Sequence, residues 1–178
     1  MSILLETTLG DITIDLDIDN SPRLSFNILK LAKARYYTNT LIYNVQPGRF
    51  CQLGDPRGDG KGGCSIHGLI DAYVAGGGTD GQPMDVTKST KRFMKSNGCI
   101  LSKSLYSQKG IVVATEMRGI RDTIGSQFLI TIDQGSGKAL DGVSGSSLDN
   151  DSTENDNNSS NGQQFFSMGR ARSDHSKI

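Results

Sequence analysis

Residues Leu41–Cys64 read LIYNVQPGRFCQLGDPRGDGKGGC. Two short runs, Leu41–Val45 and Arg49–Leu53, flank Gln46-Pro47-Gly48, and this turn signature predicts a pair of strands. After Asp55, glycine recurs at positions 58, 60, 62 and 63. Such a stretch can be a phosphate loop, a flexible linker, or a shaped loop beside a cleft. A phosphate loop needs G-x-x-x-x-G-K-[ST] opening a helix, whereas Gly60-Lys61 runs into Gly62-Gly63 with no strong helix signal behind it. A dinucleotide loop needs G-x-G-x-x-G, and the spacing here misses it. Patterned segments on both sides argue against a linker. A shaped loop is left.

Working outward, Ile12, Ile14, Leu16 and Ile18 alternate with Asp11, Thr13, Asp15 and Asp17. Period two means a strand with one wet face, and with Gly10 as the turn it predicts a hairpin over Ile3–Ile18. Ser21-Pro22 then offers a helix cap and a first-turn proline, and Leu24, Ile28, Leu31 and Ala32 follow at helical spacing. The helix is predicted from Pro22 to Arg35, with Tyr36-Tyr37 as a packing pair at its exit. Gly110–Thr115 and Ser126–Ile132 are rich in β-branched residues and read as strands. Residues 76–96 lack periodicity and read as a mobile surface insertion, and Gly98–Leu101 as a short strand or turn. From residue 144 the chain becomes SGSSLDNDSTENDNNSSNGQQ, too polar to offset its ordering entropy, so a largely disordered tail is expected over 144–178. Gln164–Ala171 regains apolar character for one strand's length.

The chain has 178 residues and a formal net charge of zero. One domain fits, over 1–143, and nothing in the charge attracts nucleic acid or an anionic membrane. Only 35% of residues are hydrophobic, which agrees with part of the chain lying outside a core. No apolar run approaches the length of a membrane span, and the opening MSILLE has no basic signal region. Cys51, Cys64 and Cys99 are an odd, widely spaced set, so ordinary thiols in a reducing compartment are expected. Cys64 and His67 have C-x-x-H spacing but no second ligand pair, and a tetrahedral site needs four ligands. No metal or cofactor is therefore read.

The succession Y-N-V-Q-P-G-R-F-C-Q-L-G-D-P, then C-S-I-H-G, then G-S-Q-F-L-I-T resembles the cyclophilins. The opening SILLETTLGDITIDL and Leu140-Asp141-Gly142 extend the resemblance from Met1 to about Gly142. The wording L-I-Y-N-V-Q at Leu41–Gln46 and G-D-P-x-G-x-G-x-G-G at Gly54–Gly63 is most similar to the nuclear branch that carries an RNA-recognition motif elsewhere in the chain. The resemblance implies a mostly β fold, a closed antiparallel eight-stranded barrel with capping helices. The segment after Ser144 departs from the pattern, so the last part of the barrel is expected to be missing or irregular. It also implies peptidyl-prolyl cis-trans isomerisation, in the nucleus or cytoplasm, by a monomer acting on proline-containing segments. The alternative is a non-catalytic proline-peptide reader among spliceosomal or other RNA-processing proteins.

Rotation about a peptide bond faces a barrier of roughly 20 kcal/mol. An isomerase of this kind needs no nucleophile or metal; it binds the twisted amide better than either planar form. By resemblance the catalytic arginine falls on Asn44, while Gln52 keeps the family glutamine. Phe50, Thr115, Glu116, Gln127, Phe128 and Leu129 fall on substrate-binding positions. Leu129 replaces a pocket phenylalanine, Ala139 a groove tryptophan, and Ser144 a histidine. Loss of the arginine's charge implies a rate lower by roughly 10²–10³-fold. Arg49, five residues on, is a candidate to stand in; its bland reading is a solvated strand residue. Tyr43 gives no sign of being a catalytic acid. Strand alternation puts Phe50 and Gln52 on one face.

Overall fold

The computed structural model describes residues 1–74, 108–116, 124–132 and 166–173. The first hairpin forms as its alternation dictates. Strand β1 (Ser2–Thr7) pairs antiparallel with β2 (Gly10–Leu16), from Ser2 opposite Asp15 to Thr7 opposite Gly10. Ile3, Ile14 and Leu16 are buried. The Thr7 hydroxyl closes the turn by donating to the Gly10 carbonyl at 2.6 Å.

Helix α1 spans Pro22–Lys33 and buries Leu24, Ile28 and Leu31. Burying each such side chain contributes roughly 2 kcal/mol, which a helix this short needs to be stable at all. Its end is a left-handed cap. The Arg35 N–H donates to Ala32, the Tyr36 N–H donates to Leu31, and Arg35 sits at φ +57°. The helix therefore stops just before the predicted Arg35. Ser21 occupies the cap position, but its hydroxyl makes no capping bond and finds no partner among the described residues. The side-chain cap expected there is not formed. The buried Asn27 ties the helix down: its Nδ2 donates to the Gly125 carbonyl at 2.8 Å, and its Oδ1 accepts from the Ile66 N–H at 2.8 Å.

Strands β3 (Tyr43–Gln46) and β4 (Phe50–Leu53) flank the predicted turn, closed by the Arg49 N–H on the Gln46 carbonyl. Helix α2 (Ile66–Val74) follows the glycine loop, where the sequence showed no strong helix signal. Ser65 supplies the missing start, its Oγ accepting from the Gly68 N–H at 3.1 Å. Strands β5 (Ile111–Glu116), β6 (Ile124–Thr131) and β7 (Phe166–Ser173) complete the described elements.

All pairings are antiparallel, in the order β1-β2-β7-β5-β6-β4-β3. The apolar run late in the chain forms a paired strand: β7 joins the β1–β2 hairpin to the other strands. Gly169 stands opposite both Leu16 and Val112 at φ +154°, and a Cβ there would run into the Asp15 carbonyl. One core cluster holds Ile3 from β1 and Leu53 from β4, with Ile14, Ile28, Val112, Phe128 and Met168. Those strands are five places apart, roughly 24 Å in a flat sheet, so the sheet must curl around the cluster. The fold is mostly β and barrel-like. The expected eight strands and closure are not seen among the described residues; seven strands run in an open order. The expected insertion at 76–96, Gly98–Leu101, Cys99, Ala139–Ser144 and the polar block up to 165 lie outside the described residues.

Candidate functional site

Strand β6 is buried along its whole length. Phe128 and Ile130 point into the core, so by alternation Gln127, Leu129 and Thr131 face the other way. Gln52 on β4 pairs with Leu129, and Phe50 pairs with Thr131, so these residues share the outer face of the sheet. Val113 on β5 also pairs with Leu129. Of the residues proposed from sequence, the structure brings Gln52, Phe50, Gln127 and Leu129 onto one face. It places Phe128 on the opposite one, where its ring meets Tyr37 edge-on at 5.8 Å. Phe128 is a core residue, and two-residue alternation along Gln127-Phe128-Leu129 is the reason. Thr115 is buried where the β5–β6 register shifts, and Glu116 pairs with Ile124 at the end of β5. Phe50 and Leu129 are only 1% and 0% exposed, whereas Asn44 reaches the surface.

Asn44 lies where the β3–β4 register shifts, at φ +47°. In a regular strand Tyr43 and Asn44 would point to opposite faces; the bulge lets both join one network. The Asn44 Nδ2 donates to Gln52 Oε1 at 2.9 Å. Gln52 Nε2 donates to Gln127 Oε1 at 2.8 Å, and the Tyr43 hydroxyl donates to that same oxygen at 2.7 Å. Gln127 Nε2 donates in turn to the carbonyls of Gly60 and Gly62, at 3.1 and 2.8 Å. On the other side, Gln46 Nε2 donates to Asn44 Oδ1 at 3.4 Å, and Arg49 donates to Gln46 Oε1 at 3.1 Å. Arg49 also lies 5.8 Å over the Phe50 ring.

The glycine loop owes its shape to Asp55, which is fully buried. Its carboxylate accepts four backbone N–H groups: Arg57 at 2.9 Å, Asp59 at 3.1 Å, Gly60 at 2.7 Å and Gly62 at 3.2 Å. A Cβ at Gly62 would collide with that carboxylate. The loop is therefore a cradle of amides, but for the protein's own aspartate. Burial, and then the charge of Asp55, hold the Tyr43 phenol above its ordinary pKa, so it keeps the proton it donates. Sequence reasoning missed Asp55, Gln46 and Tyr43. The Q-P-G-R and L-G-D-P runs hold two of them, but only folding links Gln46 through Asn44 and Gln52 to Gln127, and Gln127 to Tyr43 and the loop that Asp55 shapes.

Cys51 and Cys64 are free thiols, both pushed up by burial. No group of three or more potential ligands for a metal occurs among the described residues. None of the described helices is long and apolar enough to cross a membrane. A cavity of about 660 Å³ opens elsewhere, among Ile12, Cys51, Ile130 and Ala171, and none of the network's residues lines it.

Residues 2–150 match the family described as cyclophilin type peptidyl-prolyl cis-trans isomerase/CLD. The human protein named peptidyl-prolyl cis-trans isomerase-like 4 is 53% identical over 70 residues, 39% of this chain and 14% of that protein. Peptidyl-prolyl cis-trans isomerase sig-7 of Caenorhabditis elegans is 35% identical over 132 residues, 74% of this chain and 26% of that one. The chain thus spans only a small part of these relatives' length. A crystal structure of a Cryptosporidium parvum cyclophilin type peptidyl-prolyl cis-trans isomerase, in the presence of the dipeptide Ala-Pro, is similar in fold. It has a TM-score of 0.60 at 22% identity, covering 98% of this chain and 80% of that one. With the family match running through the hairpin, the glycine loop and the β6 face, the chain belongs to the cyclophilin-type peptidyl-prolyl cis-trans isomerases.

Proposed function

We propose that this chain binds X-Pro segments over the outer face of β4 and β6 and isomerises them weakly. Asn44 and Gln52 are the groups nearest the twisting amide, and Phe50, Thr115, Glu116, Gln127 and Leu129 form the wall. The observation that carries this reading is the side-chain network that surfaces at Asn44, the position that resembles the family's arginine. Asn44 Nδ2 has two hydrogens, and Gln52 takes one. The other is a donor for the peptide, weaker than a guanidinium because it carries no charge.

A second reading, a proline-peptide reader without turnover, is favoured by that same absence of charge. The likeness around Ile42–Gln46 to the nuclear branch supports partners among spliceosomal and other RNA-processing proteins, and a place in the nucleus or cytoplasm. NMR exchange spectroscopy on a labelled Ala-Pro peptide, with substoichiometric protein, separates the two. Cis–trans cross-peaks establish an isomerase. Peptide shifts without exchange establish a reader, and neither shifts nor exchange sinks both. Exchange regained in Asn44→Arg would locate the deficit in the missing charge.

A further inference from the structure

We propose that Arg49 is a positioning residue for Asn44, acting through Gln46, and that the Asp55-shaped glycine loop fixes the same amide from the far end. The role in turnover rests on reading Asn44 as the group that meets the peptide; the orientation of its amide does not.

Polarity decides how each amide in this network is turned. A side-chain amide has an accepting oxygen and a donating nitrogen, and alone it can turn over. Here the amides of Gln46, Asn44, Gln52 and Gln127 are strung head to tail. One end of the string is the Arg49 guanidinium, which can only donate. The other end is the pair of carbonyls of Gly60 and Gly62, which can only accept. Turning any one amide over would set oxygen against oxygen on one side and N–H against N–H on the other. Tyr43 reinforces the sense by donating to Gln127 Oε1. The string therefore has a single permitted direction, and Asn44 in its middle has a single permitted orientation.

Two consequences follow. Aligned bonds polarise one another, so the N–H groups of Asn44 donate more strongly than those of an isolated asparagine. The positive charge missing at position 44 is also held nearby, one amide away, at Arg49. Orientation at the other end depends on Asp55, because the four N–H groups it gathers hold Gly60 and Gly62 in place.

The test uses the full chain, labelled with ¹⁵N, and follows the side-chain amide signals of Asn44, Gln52 and Gln127 beside peptide turnover. Gln46→Glu keeps the shape but faces Asn44 Oδ1 with an acceptor. The Asn44 and Gln52 signals should move, and kcat should fall about tenfold with KM changed less than about twofold. Gln46→Met, which adds no charge, should do the same and serves if Gln46→Glu disturbs the backbone spectrum. Arg49→Leu should act like Gln46→Glu, whereas Arg49→Lys, still a donor-only cation, should retain the signals and most of the turnover. The proposal is overturned if the Asn44 signals stay in place in folded Gln46→Glu, Gln46→Met and Arg49→Leu. It is equally overturned if Arg49→Lys and Arg49→Leu behave alike. A wild-type chain without turnover would sink the isomerase reading, while the amide signals would still decide the relay.

Discussion

Asn44 and Arg35 show what backbone conformation asks of single residues. Both sit at positive φ, +47° and +57°. Asparagine tolerates that region; arginine pays roughly 1 kcal/mol for it. Arg35→Gly should therefore raise stability by about 0.5–1 kcal/mol, read as a higher urea midpoint, since it relieves the cap of α1 without touching the site. Tyr43 makes a prediction in pH. Its folded pKa is raised above the ordinary 10.0, so the hydrogen bond to Gln127 is fully present below pH 10 and is lost only as pH rises through the folded value. Peptide binding should stay flat from neutral pH to about 10, and Tyr43→Phe should weaken it at every pH in that range. A fall beginning near neutrality would show that some other group controls the site. At this scale Asn44, Gln52 and Gln127, singled out by motif resemblance, meet in one hydrogen-bond network. Phe128, singled out with them, lies on the core face instead, because a motif names neighbours along a strand and the pleat sends them to opposite faces. Asp55 escaped because its partners are backbone N–H groups, which every sequence has.

Among the elements, the two helices differ in how they begin. Ser21 heads α1 without a capping bond, and Ser65 heads α2 with one. Ser65→Ala should cost about 1 kcal/mol and Ser21→Ala less than about 0.5 kcal/mol in urea unfolding. Equal costs would overturn that assignment. Asn27 joins α1 to β6 and to the start of α2, so Asn27→Ala should cost about 2–4 kcal/mol, because two buried backbone groups lose their partner. The hairpin, α1 and strands β3 to β6 were readable to within a few residues, since their apolar periods are regular and their turns carry proline or glycine. Helix α2 was not, because Gly68 sits inside it and a glycine-rich loop precedes it. Its first turn is held by the Ser65 cap and by Asn27, an asparagine 39 residues before Ile66 in the chain.

For the whole molecule the decisive element is β7. Composition showed apolar character returning at Gln164–Ala171, but not that the strand there would pair with both β2 and β5. Removal of residues 166–178 should leave the β1–β2 hairpin with no described partner on the β2 side and abolish cooperative unfolding. A sharp, wild-type-like transition in that truncated chain would contradict the sheet order. The Asp15–Arg172 ion pair crosses the same seam. The Asp15 carboxyl is lowered by its bond from Ser2 and by Arg172, so its contribution holds above about 3.8 and fades as pH falls through the lower folded value. There is also a consequence for how the protein is made. On its β7 side Leu16 is paired with Gly169. At translation rates of about 5–20 residues per second, the early hairpin waits on the order of ten seconds for that strand to be synthesised. During that interval its β2 edge is an open template for any neighbouring nascent chain. Yield in the cell should therefore depend on elongation speed and on chaperones that shield the edge, more than on the equilibrium stability of the finished sheet.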